Sequence, residues 1–222
     1  MHKIGILSDT HNLLRESVMD ILRSCEIILH GGDIHARQVL KQLETIAPVY
    51  AVRGNADKEW AAGLPQTLSV ELFGIKIFMI HNKKMIQEDI QDKDLIIYGH
   101  SHKYEKLQKN GQIWLNPGSC GRRRFALPVT MAVLTAAEDG AFEIEQISLE
   151  ADRKTDKTPA ATSPKNIKNT VIYVMKETDK GKPVETIAKN GGISQELAEQ
   201  ICRLYLTHPG VNADGILGKM GL

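Results

Sequence analysis

The chain reads as an α/β protein of two packed sheets with helices outside them, followed by a small all-helical module. Three observations predict this. Five short apolar runs of strand length each end in Asp, Asn or His. Segments of helical spacing separate the first three runs, and hairpin signals crowd the stretch after residue 67. Residues 169–222 then carry helical spacing alone.

In chain order, Lys3 to Leu7 is the first strand. Leu13 to Ser24 follows with Leu14, Val18, Ile21 and Leu22 at helical spacing, which makes a βαβ crossover. Glu26 to Leu29 is the next strand. Ala36 to Ile46 repeats the helical pattern through Val39, Leu40, Leu43 and Ile46 and stops before Pro48. Val49 to Val52 completes a parallel first half. Thr67 to Leu72 and Ile75 to Ile80 flank Phe73-Gly74, and Leu95 to Tyr98 follows. Tyr104 to Leu107 and Gln112 to Leu115 flank Asn110-Gly111, a pair that type I′ turns favour. Thr130 to Thr135 and Phe142 to Leu149 pair around Asp139-Gly140. Residues 151–168 are charged, carry Pro159 and Pro164 and lack apolar period, so they read as a linker between a domain at 1–150 and the module at 169–222.

Composition excludes several classes. A net charge of +1 points to no nucleic-acid or membrane surface as a whole. Cys25, Cys120 and Cys202 are scattered and odd in number, which argues against a disulfide framework and for a reducing cytoplasm. No apolar stretch approaches the roughly 20 residues of a membrane span.

The chemistry sits at the strand ends. Ser8-Asp9-Thr10-His11 follows the first strand, and His30-Gly31-Gly32-Asp33 the second. Arg53-Gly54-Asn55, His81 and Gly99-His100-Ser101-His102 follow the others. In α/β sheets ligands gather outside the carboxyl ends of the strands, so these residues converge there. Asp9 and His11, two apart in an extended segment, would leave the same side of the chain. A lone Asp-x-His is usually a turn, and a lone strand-end histidine is usually ordinary; the recurrence is what argues for metal. Asp9, His11, Asp33, Asn55, His81, His100 and His102 exceed what one ion needs, and two ions sharing Asp33 would use them all. His30 and His35 read as core or solvent-exposed residues, and His2 and His208 as surface residues.

In this order and spacing, Asp-x-His, Gly-Asp, Gly-Asn, His and Gly-His-x-His resemble the calcineurin-like metallophosphoesterases, in particular their small YfcE/Vps29-like phosphodiesterase branch. Asn116-Pro117-Gly118-Ser119 matches a further signature of that branch. The resemblance covers roughly residues 1–150 and implies a four-layer α/β/β/α sandwich. It also implies phosphodiester hydrolysis by a hydroxide bridging two divalent ions. Asp9, His11, Asp33 and His102 would hold one ion, and Asp33, Asn55, His81 and His100 the other, with Asn55 also steadying a phosphoryl oxygen. Mixed carboxylate and imidazole ligands suit Mn²⁺, Fe or Zn²⁺ better than Ca²⁺ without ranking the three; Mn²⁺ is the expected ion, with Fe, Zn²⁺ or Ni²⁺ open. Arg122, Arg123 and Arg124 are placed to meet a substrate phosphate, a solvated basic turn being the alternative.

The chain departs from the family at three positions. Ala56 stands where a histidine or cysteine commonly follows Gly-Asn, Asn82-Lys83 follow His81 in place of Gly-His, and Asn12 replaces a common glycine. Losing a general acid should penalise esters with poor leaving groups. Two other roles compete with catalysis. One is a Vps29-like scaffold, a lineage that lacks the histidine kept here as His11. The other is a regulator binding DNA through the helix-turn-helix outline of Ala188 to Leu206. That outline offers Gln195, Gln200 and Arg203, but sets Glu196 and Glu199 beside them. Protein contact, dimerisation or a lid role is expected of the module ahead of DNA binding.

Overall fold

The computed structural model describes residues 1–123, 127–149, 164–193 and 195–220, the side chains of Pro164, Lys165, Asn166 and Glu196 excepted. The proposed linker residues 151–163 and Arg124 lie outside the described residues. The chain divides into two compact units, Met1–Asp156 and Lys157–Leu222.

The first unit holds two five-stranded mixed sheets. Strands β1 (His2–Leu7), β2 (Ile27–His30), β3 (Val49–Ala51), β9 (Val129–Ala136) and β10 (Phe142–Leu149) form one, ordered β10-β9-β1-β2-β3. Strands β4 (Thr67–Leu72), β5 (Ile75–Ile80), β6 (Leu95–Ile97), β7 (Tyr104–Lys109) and β8 (Gln112–Pro117) form the other, ordered β4-β5-β6-β8-β7. As expected, β1, β2 and β3 are parallel. The Asn110-Gly111 turn has φ of 52° and 79°, so both residues take the left-handed geometry of a type I′ hairpin. Phe73 holds φ 51° in the same role, a position where only the turn's demand explains a non-glycine residue.

Strand alternation builds the layers. Ile4 and Ile6 of β1 face the second sheet and pack with Ile77, Met79, Ile97 and Leu115 in the core between the sheets. Leu7 faces the other way, onto Val18 and Leu22 of helix α1 (Glu16–Leu22) and Val39, Leu40 and Leu43 of helix α2 (Arg37–Glu44). Each such fully buried side chain contributes about 1.5–3 kcal/mol. Gly5 stands in β1 because α1 rests on it: a Cβ there would lie 2.2 Å from Leu22 Cδ2. Over the second sheet, Phe78, Ile80, Ile96 and Tyr98 are covered by Ile86 and Ile90, from the segment that follows a short 3-10 turn at Lys83–Met85.

Both helices are shorter than their apolar periodicity predicts. Before α1 the chain turns at Asn12 (φ 61°) and reaches Arg15 extended, so residues 13–15 are spent on the turn. Ala36 is likewise extended ahead of α2.

The second unit contains helices α3 (Pro164–Asp179), α4 (Val184–Gly191), α5 (Gln195–Thr207) and α6 (Ala213–Lys219). Helix α3 thus begins inside the stretch read as linker. Val171, Val174, Ile187, Ile201, Cys202 and Ile216 form its core. Pro183 is the N-cap of α4. Gly192 ends α4 in the left-handed conformation (φ 60°), with Ile193 N–H donating back to Ala188 O at 3.1 Å. Asn212 caps α6, its Oδ1 accepting from Gly215 N–H at 2.8 Å.

Candidate metal centre

Register brings the ligand-bearing ends together. Leu7 lies opposite His30 in the β1/β2 pair, so Asp9 and Asp33 emerge side by side, with Asp9 N–H donating to Gly32 O at 2.9 Å. Met79 lies opposite Ile97 in β5/β6, which puts His81 beside Gly99, whose N–H donates to His81 O at 3.0 Å. The sheets meet where His81 Nδ1 sits 2.8 Å from Gly31 O. That contact makes Nδ1 the protonated nitrogen and leaves Nε2 facing Asp33.

Asp9, His11, Asp33 and His102 each offer a ligand atom, and these atoms lie within 4.8 Å of one another in a buried cluster. His102 Nε2 is 3.1 Å from both Asp9 Oδ1 and His11 Nε2. His11 Nε2 is 3.9 Å from Asp9 Oδ1 and from Asp33 Oδ2. His81 Nε2 approaches Asp33 Oδ2 to 3.3 Å. The remaining two expected ligands lie at the rim. His100 is exposed, its ring edge-on to His81 at 5.3 Å and its backbone N–H donating to Asp9 Oδ2 at 3.2 Å. Asn55 is exposed and lines, with His81, a groove of about 510 Å³ that also reaches Gln66, Thr67, Met85 and Gln87. Arg122 and Arg123 are exposed on the loop after β8. That loop starts under the Asp9–His11 turn, where a Cβ on Gly121 would meet Thr10 O at 2.2 Å.

One expectation fails in detail. Asp9 and His11 are not in an extended segment: their φ values are 55° and 45°. Asp33, His100 and His102 are left-handed too, at 56°, 72° and 59°. Such backbone costs on the order of 1–3 kcal/mol per residue and persists only where the surroundings over-determine it. The strand ends therefore curl inward, and the side chains converge through a turn rather than through pleat alternation.

The donor set suits a divalent cation. Among the described residues, no well-formed hydrogen bond reaches the buried Asp9 Oδ1 or His81 Nε2, which have only the close approaches of His102 and Asp33. Buried polar atoms left this way are costly, and a cation among them removes the cost. Burial pushes the Asp9 carboxyl up, but the charge of His102 outweighs it and holds the group below its usual range. Asp33 is likewise held low by His81 against burial. Burial pushes His81 down, and the carboxylates of Asp33 and Asp9 reverse this, raising it to about 9. His30 is a core residue: burial holds it at about 4, and its Nδ1 accepts from Gly32 N–H at 3.1 Å. His35 is half-buried, edge-on to His11 at 4.9 Å.

Sequence reasoning passed over Arg15 and named Ser8, Asn116 and Ser119 only as parts of motifs, without their supporting roles. Ser8 Oγ donates to Asp9 Oδ2 at 2.6 Å. In the Asn-Pro-Gly-Ser motif, Asn116 Nδ2 donates to Gly99 O at 2.8 Å and Ser119 Oγ to Asp9 O at 2.8 Å, so the motif braces two ligand loops. Arg15 is buried and grips the following loop through Cys120 O and Gly121 O.

Residues 2–139 match the model of the calcineurin-like phosphoesterase superfamily domain. The chain belongs to this superfamily. A probable metallophosphoesterase of Methanothermobacter thermautotrophicus is 32% identical over 144 residues, spanning 59% of this chain and 84% of that protein. A solved archaeal phosphodiesterase is 28% identical with a TM-score of 0.57, covering 66% of this chain and 99% of its own. Vps29 of Entamoeba histolytica, in a single-mutant form, shares the fold at 22% identity and a TM-score of 0.53, covering 67% of this chain and 99% of its own. Residues 140–222 lie beyond the family match. Among the described residues, no helix is long and apolar enough to cross a membrane.

Proposed function

We propose that this chain is a metal-dependent phosphodiesterase with a two-ion site. Asp9, His11, Asp33 and His102 would hold one ion, and Asp33, Asn55, His81 and His100 the other, with Mn²⁺ the ion proposed from a ligand mixture that suits Mn²⁺, Fe and Zn²⁺ alike. When bound, a pair of divalent ions supplies the charge that neutralises the ester and the acidified water that attacks phosphorus. The single observation that carries the reading is the buried cluster of Asp9, His11, Asp33 and His102.

The chain's own residues divide the remaining tasks. Gly31 O fixes the His81 tautomer, and Ala56 N–H occupies Asp33 Oδ1 at 2.7 Å, leaving Oδ2 to the site. The groove beside Asn55 and His81 receives the leaving alcohol, and Asn55 steadies a phosphoryl oxygen. Ala56 has no proton to give, so the alcohol must leave on its own acidity. Diesters and activated esters are therefore the substrates, and unactivated alkyl monoesters are poor ones. Arg122 and Arg123 approach the distal part of the ester.

His11 lies inside the cluster, which favours chemistry over a scaffold role. In the helical unit, Gln195 donates to Glu199 at 3.0 Å, which ties up a side chain that DNA readout would need. Protein contact or self-association is the better role for that unit. The free thiols of Cys25, Cys120 and Cys202 support a cytoplasmic location.

The test is hydrolysis of bis-p-nitrophenyl phosphate by metal-stripped protein titrated with Mn²⁺, beside an alkyl phosphate monoester. Turnover should appear with metal, favour the diester and vanish in Asp33→Asn. Metal binding with no turnover on either ester would defeat the proposal.

A further inference from the structure

Asp57 is buried, only 2% exposed, and belongs to neither ligand set. Its Oδ1 accepts hydrogen bonds from the backbone N–H groups of Ile34 at 2.9 Å and His35 at 2.7 Å. Its Oδ2 accepts from Gly54 N–H at 2.8 Å. The first two donors directly follow Asp33, and the third directly precedes Asn55. In the opposite direction, Asp33 Oδ1 accepts from Ala56 N–H at 2.7 Å. Each loop thus contributes a carboxylate that binds the other loop's backbone. Arg53 closes the second loop on itself, its Nε donating to Asp57 O at 3.0 Å.

A buried carboxylate with three charge-assisted bonds holds its donors about twice as strongly as neutral acceptors would. The loop it grips needs holding: Asp33 and His35 are both left-handed, with φ of 56° and 75°. Strained backbone of this kind survives only while its neighbours fix it. We infer that Asp57 is a positioning residue that sets the separation of Asp33 and Asn55, and thereby decides whether the protein holds one metal ion or two. This rests on the two-ion reading above. Asp33 alone can serve the ion that also has Asp9, His11 and His102. The ion that needs Asp33 and Asn55 together depends on the spacing that Asp57 imposes.

The experiment titrates Mn²⁺ into metal-stripped, full-length wild type and Asp57→Asn, followed by calorimetry and by electron paramagnetic resonance. Asparagine has the same shape and can keep the Ile34 and His35 bonds, but turns an N–H toward the Gly54 N–H. Leu43→Ala, a buried change in α2, serves as a control for simple destabilisation. Wild type should bind two ions and show an exchange-coupled pair. Asp57→Asn should bind the second ion roughly 10–100-fold more weakly, as for other residues that orient ligands. Its spectrum should be that of isolated Mn²⁺, with the first affinity little changed. Leu43→Ala should keep both ions despite a lower melting temperature. Two ions bound by Asp57→Asn with wild-type affinities would overturn the inference, as would equal loss of the second ion in Leu43→Ala. A wild-type stoichiometry of one would defeat the two-ion reading itself, and the inference with it, before any variant is compared.

Discussion

Gly54→Ala offers a sharp test of how closely the two ligand loops are packed. A Cβ at this position would lie 2.1 Å from Asp33 N, 2.2 Å from Asp33 Oδ1 and 2.9 Å from Asp33 Cα. Unstrained contacts between heavy atoms lie near about 3.5 Å, so the loops must part by more than about 1 Å. No flexible side chain can swing away, because the obstructing atoms are the backbone and carboxylate of Asp33 itself. Overpacking of this kind costs about 1–3 kcal/mol, and melting temperature falls by about 2–4 °C for each kcal/mol in a chain of this size. The larger effect is on rate, since a misplacement of about 1 Å at a reacting centre can cost on the order of 10²-fold. The assay is kcat of the Mn²⁺-loaded variant on bis-p-nitrophenyl phosphate, with Gly63→Ala as control, since a Cβ on Gly63 meets nothing within 4 Å among the described residues. A Gly54→Ala protein with wild-type melting and kcat within about threefold would refute the packing argument.

Three further predictions concern pH. In metal-free protein His81 is raised to about 9 by the Asp33 and Asp9 carboxylates, so its contribution to stability is complete below about 6.5 and lost as pH rises through about 9. Melting of the metal-free protein should therefore fall over that window, and His81→Gln should remove the dependence. Because metal needs the neutral ring, Mn²⁺ binding near pH 7.5 should also release a proton, measurable by calorimetry in buffers of different ionisation enthalpy. In the helical unit, Lys180 and Lys182 hold the Glu177 carboxyl down to about 2. That contribution is present above about 4.5 and lost as pH falls toward 2, so the protection of α3 amides, taken relative to their intrinsic exchange rates at each pH, should fall on acidification, and Glu177→Gln should abolish the change.

Local chemistry is what the sequence displays. Apolar runs of strand length, the Asn110-Gly111 turn and the Gly-Asp, Gly-Asn and Gly-His-x-His ends are local patterns, and they place every strand within a few residues. The pairing of Phe142 to Leu149 was legible in full, because alternation and the Asp139-Gly140 turn agree. Helix ends were less legible: Leu13 and Leu14 continue the apolar period of α1, yet the demand for a turn at Asn12 overrides it. Left-handed backbone at Asp9, His11, Asp33, His100 and His102 has no sequence signal, since none is glycine; closure of the site imposes it. Asp57 and Arg15 were invisible for a related reason. Each binds backbone atoms, and a motif of side chains does not record which N–H or C=O groups come near. An Asp three residues after Gly54, in a turn that must abut a second ligand loop, is the one cue that pointed that way.

Anomalous diffraction from crystals of the full chain soaked in Mn²⁺ tests the central claim most directly. Two peaks about 3.5–4 Å apart are expected. One should be bounded by Asp9, His11 and His102, the other by Asn55, His81 and His100, with Asp33 touching both. A single peak, or two peaks with no ligand in common, would contradict the account.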